Sequence, residues 1–126
     1  MYIPFDLTGR NALVTGGNGG IGLGIAQALA EAGANVMIAG RKAEKSKAAA
    51  AALAKLGVKT GVVEVEVQDP KSCAAMIEAT VKQFGRLDIL VNNAGINNRK
   101  LPDQYTPAEW REILAINLDG AFYCSN

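Results

Sequence analysis

Three short groups of residues in this chain have the types and spacing to do chemistry, and the densest is Thr15-Gly16-Gly17-Asn18-Gly19-Gly20-Ile21-Gly22. Four glycines between Gly16 and Gly20 let the backbone take unusual conformations and come close to a ligand. If a helix follows, its first N–H groups have no internal acceptor, and its dipole adds about half a positive charge at the same point. A nucleotide pyrophosphate suits that vacancy. Gly17, Gly19 and Gly22 satisfy the loose pattern G-x-G-x-x-G, while Thr15-Gly16 with Gly20 and Gly22 satisfy the narrower T-G-x-x-x-G-x-G. No Lys-Ser or Lys-Thr pair follows, which excludes a nucleoside-triphosphate P-loop. The structural alternative is a glycine turn kept only for tight strand-helix packing.

The second group is Asn92-Asn93-Ala94-Gly95, where amide side chains can satisfy loop backbone groups and Gly95 lets the main chain approach a ribose or nicotinamide. The third is Asn117, an amide on the apolar stripe of a helical segment. Buried there, it needs local backbone or an ordered water as partner, at a cost of about 1 to 3 kcal/mol if unsatisfied. A helix-bending asparagine with no catalytic part is the plainer alternative. The chain has no histidine, which removes Ser-His-Asp and Cys-His catalysis and leaves no persuasive zinc constellation.

These groups need elements to position them, and the pattern supplies alternating strands and helices. Asn11 to Val14 reads as strand one, followed by a helix from Ile21 to Ala32 with Ile21, Ile25 and Leu29 on one face and Gly33 as its stop. Asn35 to Ala39 is strand two. Lys42 to Leu56 is a helix favoured by its alanine run and ended by Gly57. Val63, Val65 and Val67 alternate with Glu64 and Glu66, giving a third strand with one charged face, whereas Ile89-Leu90-Val91 of strand four is continuously apolar. Strand three is therefore expected at an edge. Asp69 caps a helix through Phe84, with Pro70 at its first position and Gly85 closing it. Thr106-Pro107-Ala108-Glu109 opens a last helix to Cys124, with Trp110, Ile113, Leu114, Leu118, Ala121 and Phe122 as its apolar stripe. Short connections between successive units require parallel strands and right-handed crossovers. The expected fold is a doubly wound α/β sheet of order 3-2-1-4, a Rossmann-type single domain over residues 1–126, with its ligand crevice where strands one and four diverge.

Thirteen basic and twelve acidic residues, a net charge of +1, carry no electrostatic footprint for nucleic acid or an anionic membrane, so neither partner is expected. Met1 to Asp6 lacks the basic and apolar regions of a signal peptide, and no apolar run approaches about 18 residues. A cytoplasmic location is the expectation. Cys73 and Cys124 lack a C-x-x-C spacing and read as two small apolar residues in a reducing compartment.

Cofactor choice rests on the end of strand two. A dinucleotide fold that takes NAD places Asp or Glu there to bind the adenosine ribose. Gly40 holds that place, Arg41 follows and Lys42 stands beside it. An acid would repel a 2′-phosphate, and Arg41 can meet one with charge-assisted bonds, so NADP is expected ahead of NAD. A solvated Arg-Lys pair at a helix start is the alternative.

Thr15 to Gly22, Asn92 to Gly95 and Asn117 within Ile116-Asn117-Leu118, in this order and spacing, resemble the short-chain dehydrogenase/reductase family across nearly the whole chain. The resemblance implies NAD(P)-dependent oxidoreduction of a small-molecule alcohol or carbonyl. It implies that the glycine turn, with Gly16, Asn18, Gly19, Gly20, Ile21 and Gly22, holds the pyrophosphate and that Asn93, Ala94 and Gly95 line the cofactor. Asn117 matches an asparagine that fixes a water in a proton relay. Glu66 and Val67 match the adenine-edge positions, with glutamate where the family has aspartate, while Asp69 reads as the helix cap. Gly19 stands where many NADP-using relatives carry a second basic residue. Arg99-Lys100 and the segment to Trp110 resemble members acting on sugar acids and polyols.

Family enzymes also carry a catalytic serine and a Tyr-x-x-x-Lys pair, and neither Tyr2 nor Tyr105 has a lysine four residues on, while Tyr123 lies within four residues of Asn126. A tyrosine with a pKa near 10 needs a neighbouring cation to act at neutral pH, so these residues are expected to be the cofactor-binding part of an oxidoreductase, inactive alone. A non-catalytic dinucleotide-binding or interaction module is the alternative. Taken as a whole molecule, the sheet would be incomplete on the strand-four side and would call for a homo-oligomer or a complementary chain.

Overall fold

The computed structural model describes residues 5–126. Met1 to Pro4, on which part of the signal-peptide reading fell, and Tyr2 with them, lie outside the described residues. The elements run β1 (Asn11–Thr15), α1 (Gly20–Glu31), β2 (Asn35–Gly40), α2 (Ala43–Ala54), β3 (Thr60–Glu64), α3 (Pro70–Phe84) and β4 (Ile89–Val91). A short 3-10 turn (Pro102–Gln104) then leads to α4 (Pro107–Leu114), a π turn (Ala115–Asp119) and α5 (Gly120–Ser125).

The four strands form one parallel sheet of order β3-β2-β1-β4, the expected order. Val14 of β1 pairs with Ile38 of β2 on one side and Val91 of β4 on the other, which puts β1 at the centre with every residue buried. Side chains alternate across a strand, and two cores follow from that. Leu13 and Met37 face α3 and α5, packing with Val65, Cys73, Met76, Ile116 and Cys124. Val14, Val36 and Ile38 face α1 and α2, packing with Ala26, Ala30, Ala50 and Leu53.

Local chemistry explains the element ends. The Asp69 carboxylate accepts from Lys71 N at 3.0 Å, and Pro70 supplies the first helical position of α3. Thr106 and Glu109 form a reciprocal capping box at α4, each side chain accepting from the other's backbone N–H. At the amino ends of the strands Asn11 ties three of them together. Its N–H donates to Asp88, and its side chain accepts from Asn35 Nδ2 and donates to the Arg86 carbonyl. The Asn11 N–H and the Arg86 and Arg10 guanidinium groups hold the Asp88 carboxyl below its usual range.

Three sequence expectations change. In α1 the buried face is Gly22, Ala26 and Ala30, while Ile21 is exposed, because only small side chains fit between helix and sheet. The third strand begins earlier and ends at Glu64. Val65 and Val67 remain buried beyond it, so the alternation is kept by the chain while pairing has stopped. β4, by contrast, is half-buried as the outermost strand on its side, in keeping with a sheet expected to be incomplete at strand four.

The largest change is in the last helical segment, which is broken by the π turn. Trp110, Leu118 and Phe122 are exposed, and Ile116, Gly120 and Cys124 are buried instead. The extra residue in the turn rotates the following helix, and α4 itself buries no residue. Gly120 is required where α5 meets the chain after β3: a Cβ there would lie 2.9 Å from Val67 Cγ2. Cys73 and Cys124 are free and buried, as expected of small apolar residues, but the fold also brings their sulfurs to 3.5 Å. Burial pushes the Cys124 thiol up to about 12.

Candidate functional site

The carboxyl ends of β1, β2 and β4 open on a groove of about 480 Å³. It is lined by Gly16, Asn18, Gly19 and Gly20 from the glycine turn, Gly40, Arg41 and Lys42 after β2, and Val65 to Gln68 after β3. Asn93 to Ile96 line it after β4, with Lys45 and Ile116 completing the wall. Of the residues expected at a cofactor, Ile21, Gly22 and Asn117 do not line it.

The turn is built for close approach. Gly16 has φ +66° and Gly20 φ +55°, conformations that L side chains rarely adopt. Gly16 N donates to Ala39 O at 2.8 Å, its carbonyl accepts from Asn93 Nδ2 at 3.2 Å, and no side chain caps the start of α1. Gly22 lies beneath the turn, where a Cβ would meet the Gly16 carbonyl. Asn18 Nδ2 donates to Ser46 Oγ at 3.1 Å, anchoring the turn to α2. Gly40 leaves room for that amide, since a Cβ at Gly40 would lie 2.5 Å from it. The turn and the carboxyl end of β2 are therefore shaped to each other.

Thr15 joins the turn to the β4 loop. Its buried hydroxyl accepts from Asn93 N at 3.1 Å and Ala94 N at 3.0 Å, and donates to the Val91 carbonyl at 3.3 Å. Beyond it, Asn117 was expected on a buried stripe, yet the residue is exposed. It is nonetheless bonded at both amide atoms, because Oδ1 accepts from Ile96 N and Nδ2 donates to Ile96 O, each at 2.8 Å, which leaves one Nδ2 hydrogen and one Oδ1 lone pair free. This two-point grip is possible because the π turn presents the Asn117 amide to the loop. It also explains Gly95, where a Cβ would come within 3.1 Å of Asn117 Oδ1. On the β3 side, the Glu66 N–H lies beyond the paired part of the strand and donates to Ser72 Oγ at 2.9 Å, leaving the Glu66 side chain exposed on the groove wall.

A second polar cluster orders the loop that follows. The Tyr105 hydroxyl donates to the Asn98 carbonyl and accepts from Lys100 N, and Asn98 Nδ2 donates to Glu109 Oε2 at 2.6 Å. The Lys100 ammonium and the Thr106 N–H hold the Glu109 carboxyl down at about 2. A folded-state value below the ordinary 4.5 means that the carboxylate's contribution is complete above the unfolded value and fades as pH falls from about 4.5 through about 2. A carboxyl-carbon NMR titration should therefore find Glu109 still ionised near pH 3. A midpoint at the ordinary glutamate value would show that the Lys100 contact does not persist in solution.

Lys45 and the Thr15 hydroxyl carry parts of this geometry that the motifs do not mark. Thr15 stands within the glycine pattern, but its bonding partners lie 76 to 79 residues away. Lys45 is one charged residue among several on α2, and only the folded chain shows it turned to the groove. Among the described residues there is no cluster of His, Cys, Asp or Glu able to hold a metal, and no helix long and apolar enough to cross a membrane.

The short chain dehydrogenase family model matches residues 10–126. The chain belongs to the short-chain dehydrogenase family. It is 43% identical over 117 residues to the 3-oxoacyl-(acyl-carrier-protein) reductase FabG of Staphylococcus aureus, covering 91% of this chain and 47% of that protein. It is 40% identical over 117 residues to the D-beta-hydroxybutyrate dehydrogenase of Cupriavidus necator, covering 93% and 45%. The crystal structure of a putative short-chain alcohol dehydrogenase from Sinorhizobium meliloti superposes with a TM-score of 0.93 at 44% identity, covering 96% of this chain and 48% of that one. This short-chain dehydrogenase chain thus spans about half the length of the relatives it matches.

Proposed function

We propose that the protein is an NADP-dependent oxidoreductase that moves a hydride between the nicotinamide and a small-molecule alcohol or carbonyl, and that this chain supplies the cofactor-binding part. The observation that carries the cofactor choice is at the carboxyl end of β2. Gly40 stands where an acid would hold a free ribose, and Arg41 and Lys42 line the groove next to it. Neither cation has an ion-pair partner among the described residues.

The groove fits a dinucleotide at both ends. The glycine turn from Gly16 to Gly22 offers uncapped helix N–H groups to a pyrophosphate, and Gly16 and Gly20 keep side chains out of its way. Glu66 and Val67 flank the position for an adenine edge, and Asn93, Ala94 and Gly95 the position for the nicotinamide riboside. When bound, the nicotinamide supplies the hydride chemistry. Asn117 acts as a positioning residue that fixes the Ile96 backbone beside that end of the groove, with its amide left at the surface to hold a water.

Arg41→Ala in the full-length protein should weaken NADPH roughly ten- to a hundredfold and leave NADH within about twofold, since a charge-assisted bond to the 2′-phosphate is lost from one cofactor only. Fluorescence titration with both cofactors measures this. Equal losses for the two would sink the NADP assignment.

A further inference from the structure

We infer that Lys45 is a second cation on the adenosine 2′-phosphate, reaching from α2 over the glycine turn to the place where the turn itself carries only Gly19; the inference rests on the NADP reading above. The decisive observation is steric. A Cβ placed on Gly19 would lie 2.7 Å from Lys45 Nζ and 2.8 Å from Cε, so the lysine head already occupies the space that a Gly19 side chain would enter. Gly19 has extended backbone with φ −174°, which any residue can adopt, so glycine is not demanded there by conformation. What the position lacks in side chain, Lys45 fills from the neighbouring helix.

Charge points the same way. Arg41, Lys42 and Lys45 all line one groove, all are exposed, and none forms an ion pair among the described residues. By contrast, Lys47 on the same helix pairs with Glu44. Lys42 precedes the first turn of α2 and Lys45 ends it, a spacing of three that puts both on one side of the helix, facing the carboxyl end of β2. Three like charges gathered there repel one another until an anion joins them, and cations at a helix start also oppose its dipole. A phosphate monoester with nearly two negative charges resolves both conflicts. A solvated lysine has no reason to fold back over a glycine, because holding a four-carbon stem in one place costs rotamer entropy.

Asn18 and Ser46 keep this geometry in register, since their 3.1 Å hydrogen bond ties the turn to the residue after Lys45. The 2′-phosphate is thereby gripped by Arg41 from the end of β2 and by Lys45 from α2. The pyrophosphate is left to the N–H groups of α1.

The test compares wild type, Lys45→Met, Arg41→Ala and the double variant Gly19→Arg with Lys45→Met, all in the full-length protein. Each is titrated with NADPH, NADH, adenosine 2′,5′-bisphosphate and 5′-AMP. Lys45→Met should weaken NADPH and the bisphosphate roughly tenfold or more while NADH and 5′-AMP move less than about twofold. Adding Gly19→Arg should restore the phosphorylated ligands, because an arginine there reaches the same point. Equal losses for all four ligands, unchanged NADPH affinity, or no recovery in the double variant would overturn the role of Lys45. If Arg41→Ala discriminates and Lys45→Met does not, only this inference falls. If neither discriminates, the NADP reading falls with it.

Discussion

Replacing Gly22 with alanine should abolish binding of both NADPH and NADH and lower stability, although alanine is the better helix former. A Cβ on Gly22 would lie 2.9 Å from the Gly16 carbonyl carbon, and closer still to its oxygen and to Asn93 Nδ2. Neither neighbour can move cheaply. Gly16 is held by Ala39 O through its N–H and sits in a left-handed conformation, and Asn93 Nδ2 is the donor to that same carbonyl. Overpacking of this kind costs about 1 to 3 kcal/mol, against a gain of about 1 kcal/mol from helix propensity. The remainder appears as a displaced turn, so the two cofactors should suffer alike. Gly24→Ala is the control, because it lies on the same helix and a Cβ there meets nothing within 4 Å. Thermal melts should separate the pair, with Gly24→Ala at or above wild type and Gly22→Ala below it by several degrees. Equal melting temperatures and intact cofactor binding in Gly22→Ala would show that α1 does not press on the turn.

Thr15→Val should be nearly as damaging, by loss of one oxygen atom. The substitution keeps the shape of a side chain that is 1% exposed at the end of the central strand. It leaves the Ala94 N–H without an acceptor, while Asn93 N–H keeps the Val91 carbonyl at 3.0 Å. An orphaned donor in this half-buried place costs up to about 1 to 3 kcal/mol, and the loop from Asn93 to Gly95 relieves it by moving toward water and out of the groove. Thr15→Ser retains the hydroxyl and gives up one methyl, worth about 0.8 kcal/mol. Urea unfolding of both variants, together with an NADPH titration, distinguishes the two effects. If serine and valine are equally destabilised, the hydroxyl does not hold the loop.

The sheet order was legible because its signals are local or statistical over a whole strand. Asp69-Pro70 and the Thr106-to-Glu109 box announce helix starts through bonds that span two or three residues. The alternation of valine with glutamate after Gly61 marks an edge even though β3 pairs only as far as Glu64. Gly16, Gly20 and Gly40 were legible as a tight glycine turn and an acid-free strand end for the same reason. Asn117 was found by its setting on a helical stripe, but its partner was not, because the bond to Ile96 depends on where a loop returns. Lys45 and Thr15 act through residues far along the chain, and no spacing rule reaches that distance. The apolar stripe of Trp110, Leu118 and Phe122 followed a 3.6-residue period that the π turn interrupts, so hydrophobicity and burial part company there.

That π turn also fixes the length of its segment. Five residues from Ala115 to Asp119 close a loop where an ordinary helix would spend one fewer, so the segment carries one residue more than a regular helix needs. Each helical residue turns the chain by about 100°, so the extra position sets the angle between what comes before it and what comes after. Upstream, α4 is aimed by its cap at the loop of Lys100 and Tyr105. Downstream, α5 presents Gly120 and Cys124 to Val67 and Cys73. Removing one codon would reset that angle, and either the Asn117 grip on Ile96 or the seat of α5 against α3 would be lost. Length variation is therefore closed to this stretch, though single-residue exchanges on its exposed face are not.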